Sequence, residues 1–170
     1  MAAMGSRLGI DLHLFANLEE GWSRDPGHDL RTVATRRSGR PETAGGERLV
    51  DLARLEGVEN LRQALLARLL TARGELARLG HRDYGSRLFE LVGEPNTETT
   101  RDRAKLYVLE ALAAEPRVAE VVSAEVRSRG GGGRRDALDV ALEIRVAAAD
   151  VDGGTVLNLV FPFFLDGGGP

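Results

Sequence analysis

The sequence contains no cysteine, and this absence removes several kinds of chemistry at once. Disulfide bonds, thiolate metal sites and a cysteine nucleophile are excluded, so the fold must be stabilised by packing. Lys105 is the only lysine among 23 basic residues, and the net charge is −3 with a pI of about 5.7. This balance gives no basic footprint for nucleic acid, although Arg36, Arg37 and Arg40 lie close together in the chain.

Long apolar runs are also missing. No segment reaches the roughly 18 consecutive apolar residues that a membrane-spanning helix needs, and the N-terminus lacks a charged segment followed by an apolar one. The sequence therefore predicts no membrane insertion, and it favours assembly in the cytoplasm.

Recognisable catalytic and ligand-binding patterns are scarce. His13, His28 and His81 have no metal-ligand spacing, so we expect no metal and no cofactor. The glycine run 130–133 lacks the lysine of a phosphate loop and is typical of a linker between strands. Several carboxylates could pair as in a glycosidase, but any chain with 26 acidic residues offers such pairs; the candidates are Glu75, Asp83, Glu90, Glu94 and Glu115.

The middle of the chain is rich in helical patterns. Leucines at three- to five-residue spacing predict a helix over about 59–70, with Asn60 as its N-cap and with Arg62, Gln63 and Arg68 on the polar side. Ser86 is the expected cap of a short helix over 86–92. Thr97 or Thr99 is the expected cap of the clearest helix, over 97–114.

A strand pattern follows the helices. Alternation of apolar and polar residues predicts three antiparallel strands over 118–127, 137–147 and 155–164, with a turn at Asp152-Gly153-Gly154. The fold class is therefore α+β, with central helices packed on a C-terminal meander. We assign 1–48 to an extended N-terminal arm and 49–166 to the main domain.

Two further patterns lie in the predicted arm and at its boundary with the main domain. Residues 8–14 alternate as a half-buried strand does. Residues 48–58 fit either a strand or a helical turn, and we favour the strand.

The chain changes from helix to strand at Glu115-Pro116-Arg117. Pro116 has no backbone N–H and disfavours the helical conformation of the preceding residue, so the long helix should end at about Glu115. An arbitrary Glu-Pro-Arg is usually a helix stop between two solvated charges. The same corner also holds two opposite charges in fixed directions.

The last predicted strand is unusually apolar for the edge of a small sheet. It contains Val156, Leu157, Leu159, Phe161 and Phe163, and an exposed edge of this composition invites pairing with another chain. Two interpretations stay open here. A partner strand adds to this edge, or helices of the same chain cover both faces.

Three short segments carry a resemblance to a known family. They are Leu69-Leu70-Thr71-Ala72-Arg73-Gly74-Glu75, Tyr84-Gly85-Ser86-Arg87-Leu88 and Glu115-Pro116-Arg117. In their order and spacing, over about 58–164, the chain resembles the small baseplate wedge proteins, or sheath initiators, of contractile phage tails. Relatives of these proteins occur in type VI secretion and in extracellular contractile injection systems. The N-terminal arm and the glycine insertion depart from the smallest members of the family.

The resemblance implies a structural role with two interfaces. Glu115, Pro116 and Arg117 would dock on the larger baseplate wedge proteins. Val156, Leu157, Leu159, Phe161 and Phe163 would lie in a strand that pairs with first-ring sheath subunits and so initiates sheath polymerisation. It also implies about six symmetric copies around a tube, contact with tube or hub proteins, and incorporation into a tail-like particle that is retained or released.

Two other functions compete with this hypothesis. Such families have been linked to lysozyme-like activity, so a peptidoglycan-cleaving enzyme is the alternative. A generic adaptor domain outside any particle is a weaker one.

Overall fold

The structure is a computed structural model that describes residues 8–14, 32–35, 49–129, 136–147 and 155–166. Its elements, in chain order, are strands β1 to β4, helix α1, two 3-10 helices, helix α2 and strands β5 to β7. Their bounds are β1 Ile10–Leu12, β2 Thr32–Thr35, β3 Leu49–Leu52, β4 Arg54–Glu56, α1 Gly57–Leu70, 3-10 helices Glu75–Leu79 and Leu88–Leu91, α2 Glu98–Ala113, β5 Val118–Ser128, β6 Ala137–Val146 and β7 Val156–Phe164. The predicted α+β class is confirmed.

The C-terminal sheet has three antiparallel strands in the order β5-β6-β7. Alternate residues of β6 and β7 are buried on one face of the sheet, and α1 and α2 pack against this face. The core between helices and sheet contains Leu61, Leu65, Leu69, Leu88, Leu112, Leu138, Ile144 and Phe161, all fully buried. The opposite face is open, and Val160 there is 66% exposed. Helices of the described chain thus cover one face only.

Both long helices occur where the sequence predicts them. Thr97 is the N-cap of α2, and its hydroxyl accepts a hydrogen bond from the Thr100 N–H at 3.2 Å. The helix ends at Ala113, slightly before the predicted Glu115, with Ala114 as its C-cap. Pro116 therefore comes two residues after the cap, as is common for a residue that cannot continue a helix.

Two predicted caps are wrong. Glu56 is the N-cap of α1, whereas the Asn60 amide is buried and donates to the Leu8 carbonyl at 2.8 Å. The short helix is a 3-10 helix over Leu88–Leu91, and Arg87 rather than Ser86 occupies its N-cap position, without a capping bond from the side chain. The Ser86 hydroxyl instead donates to the Leu69 carbonyl at 2.6 Å and accepts weakly from Leu88 N–H.

The segment 8–14 packs against the main domain. β1 pairs with β4 in antiparallel register, and the Gln63 amide bonds the Leu12 carbonyl and the Leu14 N–H, each at 2.7 Å. Leu8 is 5% exposed and belongs to the core. The side of α1 that the sequence predicts to be polar is therefore covered by the segment 8–14 at Asn60 and Gln63. Both side chains form hydrogen bonds with the backbone of this segment.

Of the predicted strand over 48–58, residue 48 lies outside the described residues, and 49–58 form two short strands and the start of α1; β3 pairs with β2. Several predictions lie outside the described residues: the glycine linker at 130–133, the turn at 152–154, the basic group of Arg36, Arg37 and Arg40, and most of the arm 1–48. The boundary between arm and domain stays a prediction. No helix among the described residues has both the length and the apolar character needed to cross a membrane.

Candidate functional site: the helix-to-sheet corner and the edge of β7

The loops after α1 and before the second 3-10 helix are joined by backbone hydrogen bonds. Ser86 N–H donates to the Thr71 carbonyl at 2.8 Å, and Arg73 N–H donates to the Ser86 carbonyl at 2.9 Å, which forms a parallel bridge between Ala72 and Ser86. Gly85 makes this approach feasible: its φ is +106°, and a Cβ there would lie 2.6 Å from the Thr71 carbonyl oxygen. Two of the three resemblance segments thus form one local unit.

The third segment, Glu115-Pro116-Arg117, is a tightly bonded corner. Arg117 Nε donates to Glu115 Oε1 at 2.7 Å, and Arg117 Nη1 donates to the Leu8 carbonyl at 3.2 Å. Glu115 is 7% exposed, whereas Pro116 is exposed and the Arg117 side chain is 28% exposed. The two charges therefore pair with each other instead of projecting independently, and the corner presents mainly Pro116 and the outer part of Arg117.

Arg68 connects the corner to the bridged loops. Its Nη2 lies 3.4 Å from Glu115 Oε2, and its guanidinium carbon lies 4.7 Å from the centre of the Tyr84 ring, which is a cation–π distance. The Arg68 side chain is 12% exposed, and its buried Nε has no hydrogen-bond partner within the part of the chain that the structure describes. Arg68, Tyr84, Glu115 and Arg117 are called the corner cluster below.

Electrostatics in the corner cluster favour an ionised carboxylate. Burial raises the pKa of Glu115, but the hydrogen bonds and charge of Arg117, together with the charge of Arg68, outweigh it and hold that pKa below its ordinary value. Burial raises the pKa of the Tyr84 hydroxyl, and the Arg68 charge offsets only part of that rise. The cluster is suited to fixed, charge-assisted recognition.

The corner residues predicted from the sequence lie together, and the sequence prediction missed Arg68, Tyr84 and the Leu8 carbonyl. Arg68 looked like one of several solvated arginines on the polar side of a helix. The only sequence signal that included Tyr84 was its place in a resemblance segment.

The five residues predicted to pair with a sheath strand have different environments. Val156 is 43% exposed, whereas Leu157, Leu159, Phe161 and Phe163 are each less than 5% exposed and face the helices. These four side chains belong to this chain's own core. Pairing with another strand would therefore use the main chain of β7.

The main chain of β7 has one edge without a strand partner among the described residues. Val146 N–H donates to the Thr155 carbonyl at 3.0 Å, and Leu165 N–H donates to the Asp136 carbonyl at 2.8 Å. Hydrogen-bonded pairs alternate along an antiparallel ladder, and the register of β6 with β7 has no shift between these two bonds. Main-chain groups of the odd-numbered residues therefore face β6, and those of Val156, Asn158, Val160 and Pro162 face outward.

The opposite edge of the sheet has features that discourage pairing. The register of β5 shifts twice, between Val118 and Glu120 and between Val121 and Ser123. Glu120, Glu125 and Arg127 are exposed along this strand. Bulges and charges are common devices that protect an edge from other strands, so β7 is the better candidate for strand addition.

A family model described as baseplate wedge protein gp25 matches residues 55–151, more than half of the chain. The chain belongs to this family. The matched range includes α1, the bridged loops, the corner cluster and β6, and it ends before β7. The family is one of structural baseplate proteins, so the chain is a structural component of a contractile-tail baseplate.

A solved structure agrees with this assignment. The crystal structure of a Geobacter sulfurreducens protein that carries the name of a tail lysozyme is 31% identical, with a TM-score of 0.51 over 62% of this chain and 88% of that chain. A search of curated proteins gives no match. Among the described residues, no three histidine or carboxylate side chains converge as a metal-ligand set.

Proposed function

We propose that this baseplate component docks on the larger wedge proteins through its corner and initiates sheath polymerisation by strand addition to β7. The observation that carries the proposal is the outward edge of Val156, Asn158 and Val160, which lies on an apolar strand beside an exposed face. Main-chain hydrogen bonds along such an edge supply affinity for an incoming strand of a first-ring sheath subunit.

The corner supplies the second interface. Arg117 uses Nε and Nη1 within the chain, and the part of its side chain that stays exposed would bond a partner's carboxylate or carbonyl oxygen. Glu115 positions Arg117 and touches the partner little, and Pro116 fixes the exposed bend. In the proposed assembly, about six symmetric copies surround a tube and contact tube or hub proteins. The particle assembles in the cytoplasm and is then retained or released.

Cleavage of peptidoglycan is the competing function, and the name of the Geobacter protein favours it. A glycosidase needs a general acid whose pKa is raised. Glu115 and Glu90 both have pKa values held below the ordinary range: burial opposes the shift at Glu115, and hydrogen bonding from Arg87 is the leading cause at Glu90. The family assignment and the lowered pKa values of these two carboxylates lead us to propose a non-enzymatic role. Purified protein should release no muropeptides from cell walls. If the wild-type protein releases them and the Glu115→Gln variant does not, the protein is a lysozyme instead.

Val160→Pro tests strand addition. Truncation before β7 would remove Leu157, Leu159, Phe161 and Phe163 from the core and unfold the protein. Val160→Pro removes only an outward N–H, because this residue does not bond β6. We expect normal incorporation into baseplates and about tenfold fewer sheathed particles in negative-stain images. Val160→Thr, which keeps the N–H, should assemble sheath normally; normal sheath on Val160→Pro particles would refute strand addition.

Arg117→Ala tests docking. Loss of the outward guanidinium should reduce the amount of the protein in purified baseplates by about tenfold, as expected for a desolvated charge-assisted bond. Arg129→Ala is the control, because Arg129 is half-exposed and far along the sheet from the corner. If the Arg117→Ala and Arg129→Ala proteins enter baseplates in equal amounts, the corner does not dock and serves only to end the helix.

A further inference from the structure

Between Val156 and Pro162, the outward edge of β7 repeats uniformly except at Pro162. Main-chain groups repeat identically every two residues, so an added strand shifted by two residues, about 7 Å, would find the same donors and acceptors. Val156, Asn158 and Val160 each offer an outward N–H and C=O, but Pro162 offers only a C=O. The ladder available to a partner therefore loses a donor at Pro162.

We propose that Pro162 is a register stop, which confines the added strand to Val156–Val160 and fixes its position along β7. This inference rests on the proposed strand addition and specifies its geometry. Proline tolerates this position within the chain because its missing N–H faces away from β6; Asp139, its partner across the ladder, requires no bond from it. Proline costs this sheet no hydrogen bond only at positions whose N–H faces outward, and a proline at such a position limits the outer edge.

The exposed face defines the chemistry of the partner segment. Val156 and Val160 are 43% and 66% exposed, and Asn158 lies between them with its side chain also exposed. A segment of about five extended residues from a first-ring sheath subunit fits this window, with apolar side chains beside the two valines and a polar one beside Asn158. Slippage by two residues would lose that match as well as one hydrogen bond.

Pro162→Val tests the stop, because it restores an outward N–H without adding a charge. Amide hydrogen exchange is measured for the isolated protein and for purified native sheathed particles, each with wild-type and variant chains. In wild-type particles, the amides of Val156, Asn158 and Val160 should exchange at least about tenfold more slowly than in the isolated protein. In Pro162→Val particles the new amide at 162 should gain the same protection, and the partner strand should occupy more than one register.

The outcomes separate this inference from the function on which it rests. If the new amide at 162 exchanges equally fast in particles and in isolated protein while Val160 is protected, strand addition stands and Pro162 is not the stop. If sheathed wild-type particles protect none of the three outward amides, strand addition itself is wrong. The melting temperature of the isolated Pro162→Val protein should match that of the wild type. Differences in amide exchange between the two kinds of particle then come from assembly and not from altered stability.

Discussion

At the scale of single residues, Arg68 and Arg62 provide a matched comparison on one helix. Each has a buried Nε that finds no hydrogen-bond partner among the described residues, and the two side chains are 12% and 22% exposed. Among the described residues, Arg62 pairs with Glu59 one turn away, whereas Arg68 faces buried Glu115 and the Tyr84 ring. The difference in their partners should dominate the effect of replacement.

We expect Arg68→Leu to lower the free energy of unfolding by about 1–3 kcal/mol, because it leaves a buried carboxylate with one cation fewer. Arg62→Leu should cost about 0–1 kcal/mol, as for an exposed pair. Urea unfolding of both variants measures the difference. Equal costs would mean that Arg68 contributes no more to the corner than a surface arginine does.

Glu115 should make stability depend on pH. Its pKa is lowered in the folded chain, so its contribution is complete above the unfolded pKa of about 4.3 and is lost as pH falls through the folded value. Glu115→Gln keeps the hydrogen-bond acceptor and lacks this titration. The stability difference between wild type and Glu115→Gln should therefore shrink as pH is lowered from about 6 to 3; urea unfolding across that range checks it, and a constant difference would contradict it.

At the scale of elements, the sequence predicted the bounds of helices and strands well wherever these bounds depend on contacts between residues close in the chain. β6 alternates strictly, and α2 has a threonine cap at one end and a proline beyond the other, so both were predicted to within a few residues. The cap of α1 was wrong because the Asn60 amide bonds a carbonyl 52 residues away, and no local pattern encodes that contact. Arg68 was missed for the same reason, since Glu115 is 47 residues from it.

The bridged loops depend on Gly85, and Gly74 provides its control. Both have positive φ, but a Cβ at Gly74 meets nothing within 4 Å, whereas at Gly85 it collides with backbone. Gly74→Ala should cost about 1–2 kcal/mol from its backbone conformation. Gly85→Ala should cost about 2–4 kcal/mol, because the Thr71–Ser86 bond must also shift.

Thermal unfolding of the two glycine variants distinguishes them. A melting temperature for Gly85→Ala no lower than that for Gly74→Ala would show that the close approach is unnecessary. Because the bridge holds Tyr84 beside Arg68, the larger effect should be accompanied by weaker incorporation into baseplates.

At the scale of the whole molecule, Leu8 joins the hydrophobic core although it lies in the predicted arm. Leu8→Ala should lower the free energy of unfolding by about 2–3 kcal/mol, near the low end for a buried leucine at the margin of a core. Leu79, 73% exposed, is the control, and Leu79→Ala should change stability by less than about 0.5 kcal/mol. Chemical denaturation gives both values, and a neutral Leu8→Ala would mean that this segment adds little to the fold.

The sequence predicted the α+β class, the helices and the meander, but it described the N-terminal part as an arm. The alternation over 8–14 was visible. Its partners, β4 and the side chains of Asn60 and Gln63, were not, because they are remote in sequence. The outward direction of the Val156, Asn158 and Val160 backbone likewise depends on pairing with β6, which only the structure provides.

The bond from Arg117 to the Leu8 carbonyl makes the corner preorganised. Two inward hydrogen bonds fix the guanidinium plane before any partner arrives, so most of its rotamer entropy is already lost when the chain folds. In the docking proposed above, the partner's side chain would then be the main group that still loses rotamer freedom. Lysine at this position would keep the positive charge but would lack the fixed plane of the guanidinium. The Arg117→Lys protein should therefore bind its wedge partner with a less favourable entropy. The difference from the wild type measures how much rigidity, rather than charge, contributes to docking.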